Sequence, residues 1–167
     1  MMRSAEALFT GSHTNKIDAK GRLATPADFR RALDTAAFNG FVCVPSLEGP
    51  YLDCGGLDLL ARLQSRLSTL DPYDPNREAM EIAIMGRLRK LGLDKDGRIS
   101  LPKAFIAHAQ LDGAADFVGR GDFFQIWNSG VMKERLAAAV ERAQKARFSL
   151  RSGVAPAPAS APKEAVS

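Results

Sequence analysis

DAKGRLATPADF at residues 18–29 and DKDGRISLPKAF at 94–105 are two copies of one motif set 76 positions apart, and this repetition decides how the rest of the chain is read. The copies share Asp18/Asp94, Gly21/Gly97, Arg22/Arg98, Pro26/Pro102 and Phe29/Phe105, and replace Leu23 with Ile99. Each shared residue has a separate physical task. The aspartates can accept backbone N–H bonds across their own turn, the glycines supply the positive φ a reversal needs, and the prolines preset a helix entry. Phe29 and Phe105 anchor that helix to a core. Arg22 and Arg98 are left over, because a turn needs no guanidinium on its outgoing strand. Five donors in a planar fork suit a phosphate or the O6/N7 edge of guanine. An arginine here can also pair with the aspartate four positions back and pin the loop, and the two roles are compatible.

Outward from the first copy, Ile17 and Leu23 flank the AlaLysGly turn, which suggests a strand, a tight reversal and a second strand. Pro26 then opens a short helix, PADFRRAL, with Phe29 and Leu33 one turn apart. FVCV at 41–44 and YLDC at 51–54 read as strands separated by the turn-rich PSLEGP. A helical connector follows. Leu59, Leu60, Leu63, Leu67 and Leu70 fall at helical spacing, DPYDPN interrupts, and REAMEIAIMGRL resumes the pattern. That leucine stripe spans too few heptads for a coiled coil and reads as a core face.

The second copy repeats the order. Leu91 and Leu93 lead into the turn, Ile99 and Leu101 continue as a strand, and Pro102 opens PKAFIAHA. FVGRGDFFQIW at 117–127 gives two strands about a glycine turn, and MKERLAAAVERAQKARF is a basic helix. The expected organisation is a first unit at 8–56, a helical connector at 57–89, a second unit at 90–133 and a C-terminal helix at 134–152. The tail at 153–167, GVAPAPASAPKEAVS, is expected to be disordered, since Pro, Ala and Ser bury too little apolar surface.

At 167 residues with 46% hydrophobic content, the chain can form one domain or two packed half-domains. A net charge of +4 and a pI near 9.3 are compatible with a polyanionic partner without requiring one. The distribution is more telling. Residues 87–110 hold six Lys/Arg against two acids and 133–151 again six against two, whereas 48–86 hold three Arg against seven acids. Positive charge therefore gathers around the two motif copies and near the end rather than being spread evenly.

No catalytic, metal or cofactor constellation is indicated. Cys43 and Cys54 lack CxxC spacing and read as buried small hydrophobes. His13 and His108 stand apart with no ligand or nucleophile pattern beside them. DKDG at 94–97 opens like a calcium loop, but Ile99 takes the glycine position and Phe105 the terminal glutamate position. GRG at 119–121 precedes an aromatic strand rather than a helix, so it reads as a hairpin turn. The N-terminal stretch lacks an apolar signal region and no segment has membrane-spanning length, so a cytoplasmic protein is expected.

The pattern DxKGR with its proline and FR-containing helix, the second copy DxxGR…LP, and the closing FFQIW at 123–127 resemble the MraZ family over residues 8 to about 148. Asp18 to Arg22 and Asp94 to Arg98 correspond to that family's DxxxR signature. The resemblance implies an α+β fold of tandem AbrB-like (SpoVT-AbrB-type) swapped-hairpin units forming a small β-barrel-like body with flanking helices. It also implies a non-enzymatic, sequence-specific DNA-binding repressor of the division and cell-wall gene cluster. Such a regulator would bind short G-rich promoter repeats in double-stranded DNA as a ring-shaped homo-oligomer, in the cytoplasm and associated with the nucleoid.

The expected DNA contacts are Lys16, Lys20, Arg22, Lys95 and Arg98, with Asp18, Gly21, Pro26, Asp94, Gly97 and Pro102 as structural positions. Asp96 departs from the first copy, which has Lys20 there, so the first copy is expected to be the main reader. An AbrB-like antitoxin or interaction protein with secondary DNA binding is the alternative. Such antitoxins usually carry one copy and a toxin-binding tail, whereas this chain has two copies and a tail without apolar anchors.

Overall fold

The structure, a computed structural model, describes residues 3–153. The expectation of a disordered tail therefore falls, from residue 154 on, outside the described residues. The first motif copy runs through β1 (Ser12–Lys16), β2 (Arg22–Ala24), α1 (Ala27–Ala32), β3 (Gly40–Pro45) and β4 (Tyr51–Gly55). The connector forms α2 (Leu57–Ser68) and α3 (Pro75–Ile84), the latter started by Asp74, whose carboxylate accepts from the Asn76 N–H at 2.8 Å. The second copy repeats the first as β5 (Arg89–Gly92), β6 (Arg98–Ser100), α4 (Lys103–His108), β7 (Ala114–Gly119) and β8 (Phe124–Trp127). Pro26 and Pro102 sit at the N-caps of α1 and α4 with extended backbone, so each stops its strand and starts its helix.

The α+β expectation holds, and the pairing explains how the copies interlock. Six strands form one antiparallel sheet in the order β1-β7-β8-β4-β3-β5, and β2 and β6 form a separate two-stranded ladder. Exchanging the copies maps this order onto itself, with β4 against β8 at its centre. The first strand of each copy therefore pairs with the third strand of the other: Ser12 opposes Val118, and Arg89 opposes Cys43. Within each copy only β3–β4 and β7–β8 form ladders between sequence neighbours. The strand and return strand read around the first turn are thus joined by a single bridge, Ile17 to Leu23. Leu23 instead pairs with Ile99, because burying both apolar side chains requires the two outgoing strands to face one another.

The core lies on one face of the sheet. Phe41, Cys43, Leu52, Cys54, Phe117, Phe124 and Ile126 alternate inward and meet Phe29 of α1, Phe105 of α4, and Leu23 and Ile99 of the short ladder. Phe29 is 1% exposed and sits edge-on or tilted against Phe9, Phe117 and Phe124 at centroid separations of 5.5, 6.1 and 5.0 Å. The other face bears Val42 and Val44, and α2 lies against β3 and β4 with Leu59 and Leu67 buried, as the leucine spacing required. On that face Tyr51 stacks on Trp127 at 4.1 Å, and the Trp127 indole donates to the Gln125 amide oxygen at 3.0 Å. The FFQIW stretch thus divides by strand alternation, Phe124 and Ile126 inward, Gln125 and Trp127 outward.

Among the described residues, those up to Met132 form one unit and those from Lys133 onward a second. Helix α5 (Ser129–Lys145) begins in the first unit, five residues before the expected start at 134, and continues into the second. A one-residue break at Ala146 separates it from α6 (Arg147–Ser152), which Gly153 ends in the left-handed conformation. No helix among the described residues is long and apolar enough to cross a membrane.

Phe29→Ala is expected to destabilise the protein by about 3–5 kcal/mol in chemical denaturation, since it empties a ring-sized site in a close-packed core. A loss under about 1 kcal/mol would show that the aromatic cluster does not hold the first copy together.

Candidate nucleic-acid interface

Both loops are built by an aspartate that accepts from the backbone it precedes. The Lys20 and Arg22 N–H groups donate to Asp18 Oδ1, each at 2.9 Å, and the Arg22 Nε donates to Oδ2 at 2.7 Å. In the second loop the Asp96 and Arg98 N–H groups donate to Asp94 Oδ1 at 2.8 and 3.0 Å, and the Arg98 Nε to Oδ2 at 3.2 Å. A backbone pair closes each turn, with the Asp18 N–H donating to the Arg22 carbonyl and the Asp94 N–H to the Arg98 carbonyl. The pairing of each arginine with the aspartate four back is therefore present in both copies. It fixes the guanidinium by one edge, and in the first loop leaves the terminal nitrogens for another acceptor.

Gly21 and Gly97 have φ of +78° and +75°, as the reversals demand. Tertiary contact adds a second demand. The Leu101 N–H donates to the Gly21 carbonyl at 2.9 Å and the Thr25 N–H to the Gly97 carbonyl at 3.0 Å, so each loop is stitched to the other copy. A Cβ at Gly21 would lie 2.9 Å from the Leu101 carbonyl oxygen, a backbone atom with no freedom to move aside. The three atoms nearest to a Cβ at Gly97 all belong to the flexible Arg30 side chain.

The β2–β6 register places Arg22 opposite Ser100, Leu23 opposite Ile99 and Ala24 opposite Arg98. Leu23 and Ile99 point into the core, so Arg22 and Arg98 emerge together on the outer face, on the order of 7–8 Å apart along the ladder diagonal. Their side chains are 39% and 35% exposed. Lys20 and Lys95 flank this pair in the exposed loops. Lys16 differs, since it sits on β1 opposite Ala114 and belongs to the large sheet rather than to the ladder.

The two loops are not equal in charge. Arg98 Nη2 donates to Asp96 Oδ2 at 3.2 Å, whereas the corresponding terminal nitrogens of Arg22 have no partner among the described residues. One residue difference, Asp96 for Lys20, thus both lowers the local charge and occupies part of the second fork. Sequence reading missed Arg30, which reaches from α1 to the second loop, and Asn15, whose amide donates to the Ala24 carbonyl at 2.7 Å and ties β1 to β2. Only tertiary proximity marks either one.

The histidines have local partners and stand apart. His13 meets Phe29 edge-on at 5.4 Å, and a His108 ring nitrogen lies 2.9 Å from the Gly49 carbonyl. Cys43 and Cys54 face one another across β3–β4 with sulfurs 3.3 Å apart, and burial pushes the Cys54 thiol well up.

A duplicated, interlocked pair of strand-loop-strand-helix units with cationic loops on a shared ladder defines the AbrB-like class of α+β proteins. A family profile described as "MraZ protein, putative antitoxin-like" matches residues 85–146. A protein of Rickettsia akari named transcriptional regulator MraZ is 35% identical over 144 residues, covering 86% of this chain and 97% of its own. The protein of the same name from Rickettsia bellii, strain OSU 85-389, is 36% identical over 137 residues, covering 82% and 91%. That from Rickettsia felis is 33% identical over 144 residues, covering 86% and 97%. The chain belongs to the MraZ family, which makes it a transcriptional regulator rather than an enzyme.

Two outcomes check the loop geometry. Hydrogen bonds from the Arg22 backbone and guanidinium hold Asp18 below its ordinary value of 3.8, and the Arg98 backbone chiefly does the same for Asp94. A carboxylate depressed on folding stabilises at pH above its unfolded value, and that contribution is lost as pH falls through the depressed one. Carboxyl titration by NMR should therefore place both midpoints below 3.8; a midpoint at or above it would mean that the loops are open in solution. Gly21→Ala should cost about 1–2 kcal/mol from backbone conformation alone and more from the Leu101 collision, exceeding Gly97→Ala in thermal melts. Equal losses would show that the contact between copies carries no weight.

Proposed function

We propose that this regulator binds double-stranded DNA through the outer face of the β2–β6 ladder, reading bases with Arg22 and, more weakly, Arg98. The observation that carries this reading is that the two forks emerge side by side on a two-stranded ribbon, each held by one edge to its own aspartate. A ribbon of that width fits the major groove of B-DNA, and a fork with free terminal nitrogens suits the O6/N7 edge of guanine. Each good bidentate contact contributes roughly 1–3 kcal/mol of discrimination, which favours G-rich boxes. Lys16, Lys20 and Lys95 add phosphate contacts, with the units at 8–56 and 90–133 acting as two halves of one reader.

One protomer offers few cationic contacts, each salt-sensitive, so strong binding needs repetition. Several protomers spaced to match repeated boxes would make later contacts intramolecular and raise avidity by ~10²–10⁴. We therefore read the working form as a ring-shaped homo-oligomer on direct promoter repeats. Exposed apolar side chains such as Ile82 on α3 and Phe148 on α6 supply surface for association to cover. By the family resemblance, the target is the promoter of the division and cell-wall gene cluster, which the protein represses in the cytoplasm at the nucleoid. The antitoxin alternative gains no residue from the described structure.

Replacing Arg22 by Ala should abolish the preference for repeat-containing over scrambled duplex in mobility-shift assays, while particle mass stays that of the wild type. Undiminished preference would remove Arg22 from the reader's role. Wild-type binding should also weaken steeply with salt; salt-insensitive capture of a co-purified protein would favour the antitoxin reading instead.

A further inference from the structure

The two loops share one clip but rest on different supports. Beside the second lies Arg30 of α1: a Cβ at Gly97 would come within 2.5 Å of Arg30 Nη1, 2.9 Å of Cζ and 3.1 Å of Nε. The guanidinium therefore runs along the bare glycine backbone. At the matching place beside the first loop is Ile106 of α4, whose terminal carbon is 3.2 Å from a Cβ built at Gly21. Duplication has left an aliphatic group against one loop and a cation against the other.

Arg30 is exposed, and its side chain has no hydrogen-bond or ion-pair partner among the described residues. Lys95 is in the same condition. The two line an open cleft of about 400 Å³ with Arg31, Thr35, Asn39 and Asp94. The other charges there are already engaged: Arg31 pairs with Asp28, and Asp94 accepts from its own loop and Arg98. Arg30 and Lys95 thus remain as two unneutralised donors on one concave wall. That arrangement favours a compact, multiply hydrogen-bonding anion.

We infer that Arg30 and Lys95 seat a backbone phosphate of the duplex beside the second loop, so that the second copy grips the DNA while the first reads it. This rests on the reading of the β2–β6 face as the DNA-binding surface. It also gives Asp96 a consistent setting: the second fork is partly occupied at the base-reading face, and the cation needed for attraction is supplied from α1. Phosphate contacts position a protein on the duplex without carrying sequence information, so the two copies differ in kind rather than only in strength.

The test is DNA affinity against salt for wild type, Arg30→Ala, Arg30→Lys, Lys95→Ala and Arg22→Ala, each on repeat and scrambled duplexes and with a thermal melt. Arg30→Ala and Lys95→Ala should weaken both duplexes by the same factor and flatten the log–log salt slope by about one, while Arg30→Lys keeps the slope. The exposed Lys95 position supplies the decisive arm if Arg30→Ala melts early. An unchanged slope in Lys95→Ala and Arg30→Ala, with Arg22→Ala still losing its preference, overturns this inference and leaves the DNA-reading proposal standing. Loss confined to the repeat duplex would make Arg30 a base reader and overturn it as well. A wild type that binds neither duplex overturns both.

Discussion

The three-residue ladder between β2 and β6 is the contact on which the rest of this structure depends. Leu23 opposite Ile99 is the point where one copy's outgoing strand meets the other's, with both side chains almost wholly out of water. Two strands this short could not persist alone. They persist because the apolar pair caps the core that the six-stranded sheet leaves open, and because each loop glycine carbonyl accepts a backbone N–H from the opposite copy. The same register turns the arginines outward together. Core burial and presentation of the cationic face are two consequences of one alternation.

Exchange of partners follows from that constraint. Once β2 is committed to β6, β1 cannot also ladder with β2 beyond the Ile17–Leu23 bridge, and its free edge pairs with β7. The mirrored choice sends β5 to β3. Neither copy can bury its phenylalanines without the other, since Phe29 of the first packs against Phe117 and Phe124 of the second. Symmetry of the backbone does not extend to the surface. Lys20 against Asp96, and Ile106 against Arg30, give matching loops different electrostatic settings, and this difference lets a duplicated unit divide its labour.

Much of the local structure was legible. The turn chemistry of Asp18 and Asp94, the positive φ of both glycines, the helix entries at the prolines and the core face of the leucine helix all arise from contacts within a few residues. The pairing of each arginine with its aspartate was legible for the same reason, being a contact across four positions. Arg30 was not, because its importance comes from lying beside a glycine 67 positions away in sequence. The start of α5 was missed by five residues, since Ser129 and Gly130 carry no helical pattern of their own.

The sequence by itself determined that there are two like units, what their turns and helices are, that an arginine in each is unexplained by local geometry, and which family they resemble. Only the tertiary structure decided which strand pairs with which, that both guanidinia leave on one face, and that Gly21 is confined by a backbone oxygen as well as by its φ. The physical reason is range. Turns, caps and clips are set by neighbours along the chain, whereas strand partners and the setting of an exposed cation are chosen by burying apolar surface between segments far apart in sequence.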